Sequence, residues 1–115
     1  MKKVNTVKKY REFKEILKIR HFYKNELFCV YFRENDFGYT RVGLLITKRN
    51  GIAVIRNKIK RQVRSVVDGV FDFKKNLDVI IVINKKYDPN EYIKNKEKLE
   101  ELLLLLLGEN NEREK

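Results

Sequence analysis

The chain has 115 residues, of which 43% are hydrophobic and 37% are charged, with 27 Lys or Arg against 16 Asp or Glu. This length is typical of one domain with its own core, and the mixture of charge signs outside one basic segment argues against wholesale disorder. The formal net charge of +11 favours an anionic partner, either nucleic acid or an anionic membrane surface.

Several classes of protein are disfavoured by simple features of the chain. The single cysteine, Cys29, excludes an internal disulfide and fits a reducing cytoplasm. The basic N-terminus has no apolar stretch behind it, so no signal peptide is predicted. The longest purely apolar run, Leu102 to Leu107, is far shorter than the roughly 18 residues of a membrane span. We therefore expect one soluble, cytoplasmic domain over residues 1–115, with residues 1–6 as a mobile basic arm and 108–115 also flexible.

The first regular element is predicted to be a short helix over about residues 8–20. Phe13, Ile16 and Leu17 recur there at helical spacing among Lys and Arg, and Thr6 is a candidate cap. Phe13 has two interpretations, core packing or an exposed ring for stacking. The helical pattern by itself favours core packing.

Strands are predicted next. Residues 21–26 include a short edge strand, and from Leu27 to Arg33 the residues alternate, which turns Tyr31 outward beside charged neighbours. An outward Tyr31 is either a stacking platform or a surface residue covered by a helix. The turn at 35–38 predicts a hairpin to a strand over 39–47, and apolar residues on both sides of that strand predict a central position. Gly43 leaves room for a close approach to this strand.

The segment from Phe37 to Val67 carries eight Lys or Arg and no acid. After a turn at Asn50-Gly51 its pattern is helical. One arc of about 80° at 100° per residue holds Ile55, Ile59, Val63, Val66 and Val70. The opposite side and its borders hold Arg56, Asn57, Lys58, Lys60, Arg61 and Arg64. The basic face of this helix is either an ordinary solvated surface or a surface that binds a polyanion. The absence of acid over the whole segment favours polyanion binding.

The remaining chain predicts one strand and one helix. Leu77 to Ile83 is almost entirely β-branched, which suits a strand buried on both faces and parallel to the strand over 39–47. Asp78 is interpreted as a solvent-facing residue at the strand end, with no assigned role. The last helix is predicted from the Asp88–Asn90 region to about Leu107, ending at Gly108. Six consecutive leucines exceed one helical face, so some are expected to be exposed or to contact another chain.

A protein catalyst of phosphodiester cleavage is not predicted. That chemistry normally uses a carboxylate cluster for metal ions or a positioned histidine. His21 is the single histidine, and the aspartates stand at turns or element ends without ligand spacing. The residues thus predict an RNA-binding protein that does not cut by itself, with no cofactor or metal held by a protein motif.

Several short motifs of the chain resemble the protein subunit of bacterial ribonuclease P. They are Arg41-Val42-Gly43, Thr47-Lys48-Arg49, Gly51 with Ala53-Val54, and Arg56-Asn57-Lys58-Ile59-Lys60-Arg61 followed by Arg64. Lys8-Lys9, Glu12-Phe13, Tyr31 and Asn35 also fit. The resemblance covers about residues 5 to 105.

The resemblance implies an α+β fold of order α-β-β-β-α-β-α, a single mixed sheet with helices packed on it, similar to the second domain of ribosomal protein S5. It implies a cytoplasmic subunit, one copy for each catalytic RNA, that assists 5′ maturation of precursor tRNA. Mg²⁺ would be required by the holoenzyme and held through the RNA. The RNA contacts would be Lys48, Arg49, Arg56, Asn57, Lys58, Lys60, Arg61 and Arg64, and the cleft for the 5′ leader would be lined by Phe13, Leu17 and Tyr31.

Two residues depart from the family pattern. The family often has an aromatic residue at the position of Leu17, and a leucine stacks less well on a base. It prefers a small polar residue at the position of Ile52, so the basic helix would start without a side-chain cap there, although Asn50 is a candidate substitute.

Two alternative functions remain open from the sequence. A general structural RNA-binding protein, for instance one associated with the ribosome, would carry the same charge, and only the motif spacing argues against it. A protein-only nuclease is the other alternative, and the missing carboxylate cluster argues against it.

Overall fold

The computed structural model of the chain describes residues 2–114, with the backbone alone described for residue 3 and for residues 109–114. A 3-10 turn at Lys3–Asn5 precedes helix α1 (Tyr10–Ile19) and strands β1 (Phe22–Lys24), β2 (Phe28–Glu34) and β3 (Arg41–Leu45). A second 3-10 turn (Lys48–Asn50) leads to helix α2 (Ala53–Val70), strand β4 (Leu77–Ile83) and helix α3 (Tyr92–Glu114). The order α-β-β-β-α-β-α is confirmed.

The four strands form one mixed sheet in the order β1-β2-β4-β3. β2 pairs antiparallel with both β1 and β4, and β3 pairs parallel with β4. The predicted parallel pair is therefore confirmed. The hairpin predicted between β2 and β3 is wrong, as is the central position predicted for β3. β4 lies between β2 and β3, and this interior position fits its sequence, since every residue of β4 except Val82 is buried.

The main core lies between one face of the sheet and helices α2 and α3. Alternate residues of the strands point into it, including Val30, Val42 and Ile81, which are fully buried. α2 contributes Ile59, Val63, Val66 and Val67. The predicted stripe is shifted, because Ile55 remains 39% exposed near the helix start while Val67 is fully buried near the helix end.

The opposite face of the sheet carries helix α1. Ile16 of α1, Ile80 of β4 and Val7 are buried in one small hydrophobic cluster on this face. Thr6 does not cap α1, since its hydroxyl donates to the carbonyl of Lys2 and the N-cap position is Lys9. The segment expected to be a mobile arm is packed from Asn5 onward: Asn5 is buried, and its Nδ2 donates to the carbonyl of Thr40 over 2.7 Å.

Helix α3 begins after an Asx turn in which Oδ1 of Asp88 accepts from the N–H of Asn90. Leu99, Leu102, Leu103 and Leu106 form its buried stripe, whereas Leu104 and Leu105 are 61% and 50% exposed. The leucine run thus exceeds one face, as predicted. The helix continues through Gly108 to Glu114 instead of ending near Leu107. Flexibility was predicted for residues 108–115. Gly108 lies within the helix, whereas the side chains of residues 109–114 and the whole of residue 115 lie outside the described part.

Candidate nucleic-acid interface

Helix α2 presents its cations to solvent. Because Ile59 and Val63 are buried, the helix is fixed in rotation, and Asn57, Lys58, Arg61 and Arg64 are exposed while Arg56 and Lys60 are half-buried. Among the residues with described side chains, no carboxylate lies within 4.0 Å of any of these five Lys and Arg side chains. The side chain Nε of Arg56 is buried and has no hydrogen-bond partner.

The turn before α2 holds two more cations at the same end of the helix. Thr47 and Asn50 form a reciprocal capping box around the 3-10 turn, which leaves Lys48 and Arg49 exposed. The Nδ2 of Asn50 donates to the carbonyl of Asn84 over 3.0 Å, so this turn is tied to the end of β4. We name the basic surface as the set Lys48, Arg49, Arg56, Asn57, Lys58, Lys60, Arg61 and Arg64.

The start of α2 has no side-chain cap. Ile52 occupies the N-cap position in an extended conformation, and no side-chain oxygen accepts from the first turn. The alternative that Asn50 caps α2 is wrong, because its side chain is used in the preceding turn and at Asn84. The first backbone N–H groups of α2 and the neighbouring cations therefore form an electropositive helix end without any acidic residue in the first turn.

The three residues predicted to line a leader cleft lie together. Phe13, Leu17 and Tyr31 are half-buried and pack on the cluster that contains Ile16 and Ile80. The ring of Phe13 lies over Gly43, where a Cβ would come within 2.6 Å of the ring's Cζ. Gly43 is thus the residue that lets Phe13 approach the sheet. We name Phe13, Leu17, Tyr31 and the half-buried Val82 the aromatic cleft.

Two weakly acidic groups lie on the cleft side of β2. Burial raises the pKa of the Cys29 thiol above its usual range. Burial also raises the pKa of the Tyr31 hydroxyl, and its contact with Cys29 adds to the shift. Both groups therefore stay neutral near pH 7, so the cleft presents an uncharged aromatic surface.

A buried ionic cluster fixes α1 over the sheet. Asp78 is fully buried, and its carboxylate accepts from Arg41 in a bidentate pair at 2.8 Å, from Nε of Arg33 at 3.0 Å and from Asn35 at 2.8 Å. Arg41 also donates to Glu12 of α1 over 2.7 Å, and Arg33 donates to Glu15 over 3.4 Å. Burial alone would raise the pKa of Asp78, but these hydrogen bonds outweigh it and lower the pKa.

Asp78 was predicted to face solvent at the end of the strand, and this prediction is wrong, because Asp78 is fully buried. The sequence did hold a sign of its burial. Asp78 is the one acid in an otherwise apolar run, and a charge in a buried strand requires a partner. The partners were not identifiable, since Arg33 and Arg41 lie 45 and 37 positions away in the chain. Ile80, which is buried in the cluster under the three predicted cleft residues, and Val82, which packs against the same cluster, were also not predicted from the sequence.

The aromatic cleft and the basic surface adjoin. A cavity of about 250 Å³ between them is lined by Val82 of the cleft, by Arg49 of the basic surface, and by Thr47, Ile83, Asn84 and Lys85. A single strand lying in the cleft would therefore reach the cations at the start of α2 without crossing an acidic surface.

Other candidate chemistry does not converge. His21 is exposed, and its ring lies 6.0 Å from that of Phe32. Within the described side chains no three His, Cys, Asp or Glu residues are placed to hold a metal ion. Over the same part of the chain, no helix combines the length and apolar character that a bilayer crossing requires.

Comparisons with known proteins show which family the chain belongs to. The sequence profile of the Ribonuclease P family matches residues 1–106. The ribonuclease P protein component of Mesoplasma florum is 34% identical over 109 residues, covering 93% of this chain and 99% of the relative. That of Streptococcus thermophilus is 34% identical over 92 residues, covering 80% of this chain and 83% of the relative.

Solved structures give the same result. The ribonuclease P protein of Staphylococcus aureus superposes with a TM-score of 0.77 at 28% identity, covering 89% of this chain and 94% of that structure. The protein of Thermotoga maritima gives 0.70 at 30% identity, covering 85% and 94%. The chain belongs to the ribonuclease P protein component family, and its role is that of the protein subunit of ribonuclease P, the partner of the ribonuclease P RNA in tRNA processing.

Proposed function

We propose that the basic surface binds the catalytic RNA and that the aromatic cleft binds the 5′ leader of precursor tRNA. The observation that carries this proposal is the exposed set of cations on α2, which has no acidic partner among the described side chains. Like charges at the spacing of Arg56 and Lys60 destabilise an isolated helix by a few tenths of a kcal/mol. A phosphate backbone would remove that repulsion and release counterions.

The aromatic cleft suits a single strand better than a duplex. Its half-exposed rings and Leu17 offer apolar surface on which unpaired bases can stack, at about 1–3 kcal/mol per base for an aromatic ring. A duplex hides its base faces, whereas a 5′ leader is unpaired. Leucine at position 17 supplies contact area without a π-face, so Phe13 and Tyr31 are assigned the stacking.

We assign the bond-breaking step to the RNA, where Mg²⁺ ions would activate water. Among the described side chains, no three His, Cys, Asp or Glu residues are placed to hold a metal ion. Asp78 accepts hydrogen bonds from three side chains and Glu12 is bound to Arg41, so both have their charge matched within the fold. The protein contributes substrate affinity and cleavage at low Mg²⁺, with one copy for each RNA, in the cytoplasm.

The test is cleavage of precursor tRNA by the cognate RNA at low Mg²⁺, with and without the protein. We expect cleavage at low Mg²⁺ only with the protein present, and no cleavage by the protein alone. Tyr31→Ala and Phe13→Ala should each weaken precursor binding by roughly 1–3 kcal/mol and leave mature tRNA binding unchanged.

The matched control for these variants is Tyr10→Ala, because Tyr10 is an aromatic residue of the same helix that is 74% exposed and lies outside the cleft. Equal losses for precursor and mature tRNA would remove Phe13 and Tyr31 from leader binding. Cleavage that is independent of the protein at every Mg²⁺ concentration would overturn the proposal as a whole. The alternative of a general structural RNA-binding protein is not supported by the family membership.

A further inference from the structure

A second cavity lies at the opposite end of α1 from Leu17. It has a volume of about 640 Å³ and is lined by Lys9, Arg11 and Glu12 of the α1 region, by Phe37 of the loop between β2 and β3, and by Arg41 of β3. This volume falls within the range of small-molecule sites in proteins, about 300–1,000 Å³. Neither the basic surface nor the aromatic cleft includes any of these residues.

Phe37 is an exposed ring with a fixed cation against it. The guanidinium carbon of Arg41 lies 4.1 Å from the centroid of the Phe37 ring, yet Phe37 remains 50% exposed. Arg41 cannot swing away freely, because its Nε and Nη2 bind Asp78 and Glu12 at 2.7–2.8 Å. Oδ1 of Asn35 accepts from the backbone N–H of Phe37, which holds the loop. The result is a preorganised aromatic platform with one side backed by a cation.

The cavity also has free positive charge. Within the described side chains, Lys9 and Arg11 have no carboxylate within 4.0 Å. The one acid in the lining, Glu12, is bound to Nη2 of Arg41 over 2.7 Å. Its charge is therefore matched inside the fold, and Lys9 and Arg11 remain for an anion outside it.

The cavity continues the line of the aromatic cleft. Leu17 and Phe13 are four residues apart on one face of α1, and Lys9, the N-cap residue, lies four residues before Phe13 on the same line. On β3, Arg41 lies two residues before Gly43 on the same face, a separation of about 6.6 Å. The ring of Phe13 covers Gly43, and Arg41, two residues away, lies against Phe37. A single-stranded RNA that lies over Phe13 would therefore reach Phe37 next.

We propose that this cavity is a further nucleotide subsite for single-stranded RNA. A base stacks on the exposed part of the Phe37 ring, and Lys9 and Arg11 contact the adjoining phosphates. The occupant is a leader nucleotide adjacent to the one held at Phe13, so the inference rests on the proposed function of the aromatic cleft.

The first test measures the affinity of the holoenzyme for precursor tRNAs with leaders of increasing length. Phe37→Ala should weaken binding about 5- to 150-fold, the equivalent of one stacked base, once the leader is long enough to reach the cavity. Mature tRNA binding and assembly with the catalytic RNA should not change. Ile93→Ala on α3, which removes another exposed apolar side chain, should have no effect at any leader length.

A second measurement separates stacking from local packing. Phe37→Trp should retain leader affinity, whereas Phe37→Leu should lose it although the side chain stays apolar. An abasic nucleotide moved along the leader should abolish the Phe37→Ala effect at one position only. Lys9→Ala combined with Arg11→Ala should lower the salt dependence of leader binding, by a log–log slope of about 1.4 for two phosphates of a single strand.

The proposal is overturned if Phe37→Ala has no effect with any leader, or an equal effect on mature tRNA. Phe13→Ala and Tyr31→Ala, measured beside it, separate the two proposals. If they weaken leader binding and Phe37→Ala does not, the subsite alone is wrong. If all three variants bind every leader normally, the leader function of the cleft is wrong as well.

Discussion

At the scale of single residues, Asp78 is the charge on which the cleft side of the sheet depends. It is fully buried and is held by Arg33, Arg41 and Asn35. Asp78→Asn removes the buried carboxylate that Arg33 and Arg41 share, and leaves them only their contacts with Glu15 and Glu12 at the edge of the cluster. Breaking a buried ion pair from one side typically destabilises a protein by about 3–5 kcal/mol. We expect a loss of this size near pH 7, measured by urea unfolding.

The same substitution should change the acid dependence of stability. The native pKa of Asp78 is lowered, whereas its unfolded pKa is about 3.9. On acidification the unfolded chain therefore takes up this proton first, so the contribution of Asp78 is complete above about pH 4 and is lost as the pH falls toward the native pKa. Asp78→Asn should flatten this region. The exposed Asp36→Asn is the control, and an unchanged acid profile for Asp78→Asn would contradict the assignment.

Gly43 offers a second test at this scale. An added Cβ would lie 2.6 Å from Cζ of Phe13 and 2.8 Å from Cδ1 of Ile80. Phe13 is half-exposed, so its ring should move outward, with a stability loss of about 1–3 kcal/mol and a weaker affinity for precursor tRNA. The control is Gly69→Ala in α2, where a Cβ meets nothing within 4 Å and helix propensity predicts a small gain. Normal leader affinity for Gly43→Ala would exclude a role for the ring position.

What the sequence reveals about a residue depends on how local its environment is. The outward Tyr31 follows from period-two alternation. The uncapped Ile52 follows from comparing one position with the family pattern. The buried state of Asp78 depends on Arg33 and Arg41, which come from two different strands. No local sequence pattern shows that these two strands bring their arginines to Asp78. The sequence therefore predicts that Asp78 lies at the start of a strand, but not that it is buried.

At the scale of elements, helix α2 begins without a side-chain cap, and a single substitution can supply one. Ile52 has the extended backbone of an N-cap residue and is 70% exposed, so it buries little. Ile52→Ser should stabilise the protein by about 1 kcal/mol, because the hydroxyl can accept from the first-turn N–H groups. Thermal unfolding measures this gain. Ile52→Ala is the control without an acceptor, and an equal gain for both would show that capping is not its cause.

Strand pairing shows what an element's own pattern leaves out. The turn at 35–38 correctly marks where β2 ends, but a turn does not choose the partner of the following strand. β4, which is apolar on both faces, requires a neighbour on each side. It therefore lies between β2 and β3, and the burial of a later segment overrides the hairpin expected from adjacent ones.

At the scale of the whole molecule, charge predicts how binding responds to salt. If the basic surface engages 6–10 phosphates, the affinity for the catalytic RNA should fall about 10³- to 10⁵-fold between 50 and 200 mM salt, taking the duplex slope as a guide. Arg61→Ala combined with Arg64→Ala should weaken assembly and reduce the log–log slope by about 2. Filter binding over a salt series measures both quantities.

The matched control is Lys74→Ala combined with Lys96→Ala, which removes the same charge from exposed positions outside the basic surface. If both double variants lower the slope equally, net charge and not the basic surface governs assembly. Composition alone predicted an anionic partner. The motif spacing was needed to distinguish this family from other basic proteins.

The placement of β4 also has a consequence for synthesis. β4, which lies between β2 and β3, is the last of the four strands to leave the ribosome. A nascent chain that stops before Leu77 already contains all of α2, but the surface that buries Ile59 and Val63 is incomplete. Helix α2 is thus translated before the strand that orients it, and the cations of the basic surface acquire their fixed arrangement only after Ile83 has emerged.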